Sequence, residues 1–257
     1  MDKIELNKIY NEDCLEGMKR IPDGSVDMIL CDLPYGTTAC KWDEIIPFDL
    51  LWEQYERIIK DNGAIVLTGS QPFTSALVMS NPKLFRYQWV WKKTKCGNFQ
   101  LAKYQPLKYT EDVLVFSKER HNYYPILRDA PESAKRRRKY SYEGSKDLGG
   151  IKHMASGEYK QKFVNGKDKI NPSNLIEFKN ERRNIHPTQK PVALFEYLIK
   201  TYTNEGETVL DNCMGSGTTA IACLNTNRNF IGFELDKEYF DMATKRVEEH
   251  EQQLKMI

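Results

Sequence analysis

The chain has 257 residues, of which 40% are hydrophobic and 29% charged, with a formal net charge of +2. This length allows one large domain or a core with an insertion, and no run reaches the roughly 18 apolar residues of a membrane span. The charged N-terminus, MDKIELNKIYNEDC, does not read as a signal peptide, so we expect a soluble, cytoplasmic protein. Six cysteines without a CxxC pair and four scattered histidines argue against a disulfide framework or a metal site.

The first part of the chain alternates helix and strand patterns. A short helical stretch, LEGMKRI, precedes VDMILC at 26–31, an apolar run typical of a buried parallel strand. Residues 49–60 place apolar side chains on one helical face, and Asp61-Asn62-Gly63 is predicted to close that helix before the strand AIVLT. Further strands are predicted at 87–91 and 112–117.

The composition changes between residues 118 and 185. KRRRK at 135–139 and several polar, glycine-containing stretches predict an insertion with its own loops. Residues 117–185 hold 17 lysines and arginines against 9 acidic residues, a net +8, whereas the remainder holds 21 against 27, a net −6. Such a segment suggests a polyanionic partner, although a solvated loop that binds nothing explains the charge equally well.

Regular alternation resumes at Pro191. The predicted elements are then a helix VALFEYLIKTY, a strand ETVLD, a helix GTTAIACLNTN, a strand NFIGFELD and a helix KEYFDMATKRVEEHEQQ. Strand and helix in alternation predict an α/β fold with a doubly wound, mostly parallel sheet. We expect 1–117 and 186–257 to form the two halves of this domain and 118–185 to form the insertion.

The stretch VLDNCMGSGTT, residues 209–219, runs from a strand through a glycine loop into a helix. Gly215 and Gly217 permit a tight turn and a close approach of a ligand to the helix N-terminus. The loop formally fits a dinucleotide fingerprint, but Asp211 would repel a pyrophosphate and would suit a cationic ligand. Glu234, at the end of the next strand, suits ribose hydroxyls. Together these residues favour S-adenosylmethionine over NAD, and an ordinary strand–turn–helix corner remains an alternative.

Asp32-Leu33-Pro34-Tyr35 directly follows the strand at 26–31. A carboxylate at the rim of a buried sheet is costly without a partner, and ligands of open α/β sheets bind beyond the carboxyl ends of the strands. A carboxylate and a backbone carbonyl can accept both N–H bonds of an exocyclic base amine and so direct its lone pair at a methyl group. Tyr35 can stack on the planar base.

Three motifs in one order resemble the β class of DNA amino-methyltransferases. Asp32-Leu-Pro-Tyr is similar to their Asp-Pro-Pro-Tyr catalytic motif, with leucine in place of the first proline. His186-Pro-Thr-Gln-Lys-Pro191 is similar to the motif that precedes the donor loop, and VLDNCMGSGTT is similar to that loop. The matches span residues 9–250. The resemblance implies a Rossmann-like, S-adenosylmethionine-dependent methyltransferase fold with a basic target-recognition insertion.

The resemblance also implies roles for individual residues. Asp32 and the Leu33 carbonyl would hold the target amine, Pro34 would stiffen the turn, and Tyr35 would stack on the flipped base. The implied donor-binding residues are Asp13, Cys14, Thr188, Gln189, Lys190, Asp211, Cys213, Gly215, Ser216, Gly217, Thr218 and Glu234. The candidate DNA contacts are Arg136, Arg137, Arg138, Lys139, Arg182 and Arg183.

The reaction implied by the resemblance is methyl transfer from S-adenosylmethionine to the N6 amine of adenine in duplex DNA, with base flipping and without a metal. Cytosine-N4 methylation, a catalytically weak DNA-binding relative and an NAD-linked oxidoreductase are the alternatives. Leu33 lacks the fixed φ of proline, which leaves the turn less pre-set. A homodimer and a cognate restriction endonuclease are partners that the class allows, and a nucleoid-associated location in a prokaryote or phage is expected.

Overall fold

The computed structural model describes residues 3–36, 43–130, 169–180 and 189–256. The chain divides into two compact units, one formed by Met1–Tyr124 with Asn174–Ile257 and the other by Pro125–Ser173. The domain bounds expected from the sequence, with an insertion at 118–185, stay a prediction. No helix of the described residues is long and apolar enough to cross a bilayer.

Eight strands form one sheet in the first unit. Their bounds are β1 (Lys8–Tyr10), β2 (Val26–Cys31), β3 (Ile59–Gly69), β4 (Phe85–Lys92), β5 (Thr110–Phe116), β8 (Leu175–Glu177), β9 (Thr208–Asp211) and β10 (Asn229–Phe233). Their spatial order is β1-β10-β9-β2-β3-β5-β4-β8. The first five strands in this order, β1-β10-β9-β2-β3, pair with their neighbours in parallel. Strand β5 is antiparallel to both of its neighbours, β3 and β4, and β8 is parallel to β4. The predicted mostly parallel, doubly wound sheet is confirmed. In the second unit, β6 (Arg128–Asp129) and β7 (Lys169–Ile170) form an antiparallel pair.

Helices cover both faces of the large sheet. They are α1 (Cys14–Met18), α2 (Phe48–Ile58), α3 (Phe73–Ser80), α4 (Val192–Tyr202), α5 (Thr218–Asn225) and α6 (Lys237–Lys255). Met28 and Leu30 of β2 pack in one hydrophobic cluster with α4, α5 and α6. Ile29 and Cys31 of the same strand pack in a second cluster with α1, α2 and α3. Because β2 is buried on both faces, its sequence is continuously apolar rather than alternating.

The connection between α2 and β3 differs from the prediction. Asp61-Asn62-Gly63 was expected to close the helix, but α2 ends at Ile58 and β3 begins at Ile59, so the three residues lie inside the strand. The register between β2 and β3 shifts here, from Val26 opposite Ile59 to Met28 opposite Ala64. A Cβ on Gly63 would lie 2.8 Å from the Asp27 carbonyl oxygen. Gly63 therefore serves a close backbone approach within the sheet and not a helix cap.

Candidate active site

The two loops singled out in the sequence lie at the same edge of the sheet. Strands β2 and β9 are parallel neighbours, so Asp32, which follows β2, and Asp211, which ends β9, lie on one side. A cavity of about 1030 Å³ opens at this edge. The residues that carry the argument below line its wall: Asp13, Asp32, Lys190, Asp211 and Glu234.

Asp32 is held by three donors. Its Oδ1 accepts hydrogen bonds from the Tyr35 hydroxyl at 2.8 Å and from the Thr68 hydroxyl, and its Oδ2 accepts one from Lys190 Nζ at 2.6 Å. The Asp32 side chain is 21% exposed, whereas Lys190 is only 6% exposed. The Lys190 ammonium group is thus a partner that stabilises the Asp32 carboxylate at this rim, and the donor-binding role that the resemblance implies for Lys190 stays a prediction.

Tyr35 is fixed on both its hydroxyl and its ring. The hydroxyl donates to Asp32 and lies 3.0 Å from the Thr68 hydroxyl oxygen, while the ring stacks on Phe73 with 4.9 Å between the centroids. Burial and the neighbouring Asp32 carboxylate hold the pKa of Tyr35 well above its usual value. The phenol is therefore neutral, and it acts as a hydrogen-bond donor to Asp32.

Lys190 faces a second carboxylate, which belongs to Glu111 of β5. The distance from Lys190 Nζ to Glu111 Oε2 is 3.6 Å, and Glu111 Oε1 accepts from Lys93 Nζ at 2.6 Å. Burial acts to lower the pKa of Lys190, but the Asp32 and Glu111 carboxylates outweigh it and raise that pKa. Burial acts to raise the pKa of Glu111, but the two ammonium groups outweigh it and lower that pKa. Lys190 and Glu111 are therefore both ionised at neutral pH.

Sequence analysis did not identify Lys93 or Glu111. The signal for Glu111 is its position in β5, where it precedes Val113 and Val115 at a spacing of two. Both valines belong to the buried cluster, so the same face of the strand turns from apolar to acidic at its end. A charged residue at the end of a strand, on the same face as buried core residues, predicts a buried ion pair or a functional site.

Asp211 is buried at the end of β9. Its Oδ1 accepts from the Cys213 amide at 3.0 Å, and its Oδ2 accepts from the Thr219 hydroxyl. Burial raises the pKa of Asp211 to about 6. Since these two donors are neutral groups, a cationic ligand in the cavity would relieve the cost of the buried charge.

The glycine loop is held between α5 and α6. Gly215 and Gly217 have φ angles of 53° and 77°, and a Cβ on Gly217 would lie 3.3 Å from that of Ala243 in α6. Arg246 of α6 donates to the Ser216 carbonyl at 2.8 Å. Thr218, which begins α5, has its hydroxyl 3.2 Å from that of Ser216. The close packing of α6 explains why the turn before α5 requires glycine.

Glu234 follows β10 and closes the other side of the loop. One of its carboxylate oxygens accepts from the Gly215 amide at 2.7 Å, and the other accepts from the Asp236 amide at 2.9 Å. Burial raises the pKa of Glu234. Its carboxylate lies at the cavity wall, next to the glycine loop.

The remaining predicted residues divide into three groups. Asp13 is exposed and caps α1, accepting from the Leu15 amide at 2.8 Å. The sulfur atoms of Cys14 and Cys213 both accept from Asn212 Nδ2, at 3.5 and 3.6 Å. The turn residues Leu33 and Pro34, together with Gln189, line the cavity. Residues that lie outside the described ranges are Thr188, Arg136, Arg137, Arg138, Lys139, Arg182 and Arg183.

A basic and aromatic loop borders the cavity. Residues 95–109, here called the rim loop, contribute Lys95 and Lys108 to the cavity wall. Phe99 and Tyr104 of the same loop are 76% and 85% exposed. The sequence analysis did not single out this loop, because its apolar residues follow neither the helix nor the strand period.

An open α/β sheet with these two loops at one edge defines a Rossmann-like methyltransferase. This chain belongs to the DNA methylase family, whose model matches residues 26–245. The predicted family, enzyme class and fold are therefore confirmed. Within the described residues, no group of three or more His, Cys, Asp or Glu side chains is arranged to hold a metal ion.

Several characterised relatives match most of the chain. The type II methyltransferase M.BglII of Bacillus subtilis is 31% identical over 94% of this chain and 69% of its own length. M.HpaI of Haemophilus parainfluenzae is 29% identical over 94% of this chain and 74% of its own length. The DNA adenine methyltransferase YhdJ of Escherichia coli K12 is 28% identical, covering 95% and 83%.

Solved structures are similar over the same extent. The complex of M1.HpyAVI with SAM has a TM-score of 0.61 and 27% identity, covering 93% of this chain and 98% of that one. The cytosine-N4-specific PvuII methyltransferase has a TM-score of 0.66 at 17% identity, covering 95% and 87%, and supports the fold alone.

Proposed function

We propose that this chain transfers a methyl group from S-adenosylmethionine to the N6 amine of adenine in duplex DNA. The observation that carries the proposal is the position of Asp32, a fixed carboxylate in the same cavity as Asp211 and Glu234. The relative YhdJ is named a DNA adenine methyltransferase, and aspartate at the head of the catalytic motif is typical of adenine-N6 enzymes. Both favour adenine over cytosine as the target.

The donor half of the cavity fits S-adenosylmethionine by charge. This donor supplies an electrophilic methyl group on a sulfonium and carries an ammonium group nearby. Asp211, with its raised pKa, gains from a cationic ligand, and Glu234 suits the ribose hydroxyls. Asp13 lies in the same wall and can accept from the adenine amino group. A volume of about 1030 Å³ is at the upper end for one ligand and allows a base to enter beside the donor.

The catalytic half holds the target amine without a covalent nucleophile. Asp32 and the Leu33 carbonyl accept its two N–H bonds, and the lone pair of the nitrogen is thereby directed at the methyl group. As the new C–N bond forms, the nitrogen gains positive charge, and the Asp32 carboxylate stabilises that charge and receives the departing proton. Tyr35 donates to Asp32 and fixes its orientation.

The DNA is held around the cavity mouth by basic and aromatic groups. Lys95 and Lys108 of the rim loop can neutralise phosphates, and the exposed rings of Phe99 and Tyr104 can stack on bases. The basic residues of the insertion lie outside the described ranges, and their contacts with DNA stay a prediction from the sequence. A cytoplasmic, nucleoid-associated location is part of this proposal, and a homodimer and a cognate endonuclease stay predictions.

The test is transfer of labelled methyl from S-adenosylmethionine into unmethylated duplex DNA, followed by nucleoside analysis. We expect label in N6-methyldeoxyadenosine only, and label in N4-methyldeoxycytidine would contradict the target assignment. Asp32→Ala should abolish turnover while leaving the Kd for S-adenosylhomocysteine unchanged. Asp61→Ala, which removes an exposed carboxylate paired with Lys118, is the matched control and should stay fully active.

A further inference from the structure

The hydrogen bonds of Asp32 raise a problem for the proposed reaction. Oδ1 already accepts from the Tyr35 and Thr68 hydroxyls, and Oδ2 accepts from Lys190 at 2.6 Å. One acceptor site is left, and it lies on Oδ2 beside the Lys190 ammonium group. A cation on the same oxygen opposes the positive charge that develops on the target nitrogen and makes Asp32 a weaker proton acceptor, so Lys190 is the group to be displaced. A buried ammonium group that loses its carboxylate without gaining another partner is strongly unfavourable.

Glu111 offers Lys190 a second acceptor. Its Oε2 is buried, has no hydrogen-bond partner among the described residues, and lies 3.6 Å from Lys190 Nζ. Its Oε1 is separately engaged by Lys93 at 2.6 Å, which anchors the carboxylate. One ammonium group thus lies between two carboxylates, bonded to the first and just beyond hydrogen-bond distance of the second.

We propose that Glu111 is a positioning residue, which takes over the Lys190 ammonium group when the target amine binds Asp32. The inference rests on the proposed function. Displacing Nζ by about 1 Å converts the contact with Glu111 into a charge-assisted hydrogen bond of ordinary length. The hydrogen bond from Lys190 to Asp32 is broken and one from Lys190 to Glu111 is formed. The buried Glu111 Oε2, which has no donor among the described residues, thereby gains one. The exchange thereby frees Asp32 Oδ2 for the amine at little cost.

The surrounding charges favour this exchange. Among the described residues, the groups facing Lys190 are Asp32 after β2, Glu111 on β5 and the neutral Tyr35 ring, 5.7 Å from Nζ to its centroid. Lys93 and Lys108 also act on Glu111 and help to keep it ionised. Because Lys93 holds only Oε1, the ionised Glu111 retains an oxygen for Lys190 at every stage.

The first test is Glu111→Gln, assayed by single-turnover methyl transfer. Without the second carboxylate, Lys190 stays on Asp32, and we expect the transfer rate to fall about 10- to 100-fold. The Kd for S-adenosylhomocysteine should stay near the wild-type value, whereas the melting temperature should fall, because Lys93 loses its buried carboxylate partner. Loss of Glu111 also lowers the pKa of Lys190, so the variant should regain activity as the pH rises and Lys190 releases Asp32. The wild-type rate should show no such rise. Glu111→Asp should restore part of the rate at neutral pH.

Glu177→Gln is the matched control, because Glu177 pairs with Lys92 at 2.9 Å and does not line the cavity. It should stay within about twofold of the wild type, as most surface changes do. A wild-type rate in Glu111→Gln would overturn the inference and leave the proposed function intact. An equal loss at every pH would also overturn it, because that pattern is expected of a merely structural residue. A wild-type chain that methylates no DNA would overturn the proposed function, and the inference with it.

Discussion

Asp211 is an ionisable side chain that is buried at the end of β9, where the charged form of its carboxyl group is unfavourable. Burial raises its pKa to about 6, above the usual 3.8, and its hydrogen-bond donors are a backbone amide and a hydroxyl. A carboxylate in this position costs stability when it is ionised. The Asp211 carboxylate lines a cavity that, under the proposed function, receives a cation. Such costs are typical of binding sites and not of the core.

Asp211→Asn is expected to separate stability from donor binding. Because the folded-state pKa is raised, the contribution of Asp211 to stability is greatest below pH 4 and is lost as the pH rises through 6. At pH 8 the variant should therefore gain about 1–3 kcal/mol in free energy of unfolding, and near pH 4 it should gain little. Urea unfolding at both pH values measures this difference, and calorimetry with S-adenosylhomocysteine should show weaker binding. A less stable variant with normal binding would contradict this account.

Leu33 shows how packing replaces a covalent constraint. From the sequence, its lack of a proline ring leaves the turn less pre-set. In the structure its side chain is 4% exposed and belongs to the cluster that includes Ile29, Cys31 and the helix α2. The turn is therefore held by a buried side chain instead of a fixed φ.

Leu33→Ala should consequently weaken both the fold and the site. Removal of a buried leucine side chain typically costs about 2–5 kcal/mol, and the loosened turn should slow methyl transfer at saturating substrates. Thermal melting and single-turnover rates measure the two effects. Leu33→Met, which conserves volume, is the control and should keep both near wild type. A Leu33→Ala variant of unchanged rate would show that packing here does not position the catalytic turn.

At the scale of the elements, strongly patterned segments were predicted well. The helix at 192–202 and the strand at 26–31 have the predicted bounds, because each has one clear period or an unbroken apolar run. Strand β1 was missed because it has only three residues and its partner, β10, lies at the far end of the chain. The sequence predicted that Asp32 and Asp211 lie at the same edge of the sheet, because the carboxyl ends of parallel strands meet at one edge. The contact of Asp32 with Lys190 was not predicted, since it joins residues 158 positions apart that only the tertiary fold brings together.

The rim loop gives an element whose role can be tested apart from the chemistry. Replacing both Phe99 and Tyr104 by alanine removes two exposed rings, so the fold should be little affected. Stacking on one base contributes about 1–3 kcal/mol, and we expect the Kd for DNA to rise at least about tenfold. Fluorescence anisotropy with a labelled duplex measures this change, and the Kd for S-adenosylhomocysteine should not move. Met256→Ala, an exposed apolar residue after α6, is the control. Unchanged DNA affinity in the double variant would exclude the loop from the DNA surface.

At the scale of the whole molecule, the charges are divided between two tasks. Under the proposed function the acidic residues at the cavity serve a cationic donor, and the excess of positive charge lies in residues 117–185. If that segment engages phosphates, DNA affinity should fall steeply with salt, because each neutralised phosphate releases a counterion. Binding of S-adenosylhomocysteine inside a partly enclosed cavity should depend on salt much less.

Replacement of Arg136, Arg137 and Arg138 by glutamine should therefore lower the magnitude of the slope of log K against log salt by up to about 2.7, or 0.9 for each phosphate that is no longer neutralised. Glutamine at Lys200, Lys245 and Lys255, exposed positions on α4 and α6, changes the net charge by the same amount and should leave the slope nearly unchanged. Titrations at four or more salt concentrations measure both. Equal slopes in the wild type and the arginine variant would favour a solvated segment that does not contact DNA. A drop in the arginine variant alone would assign the basic segment to the phosphates.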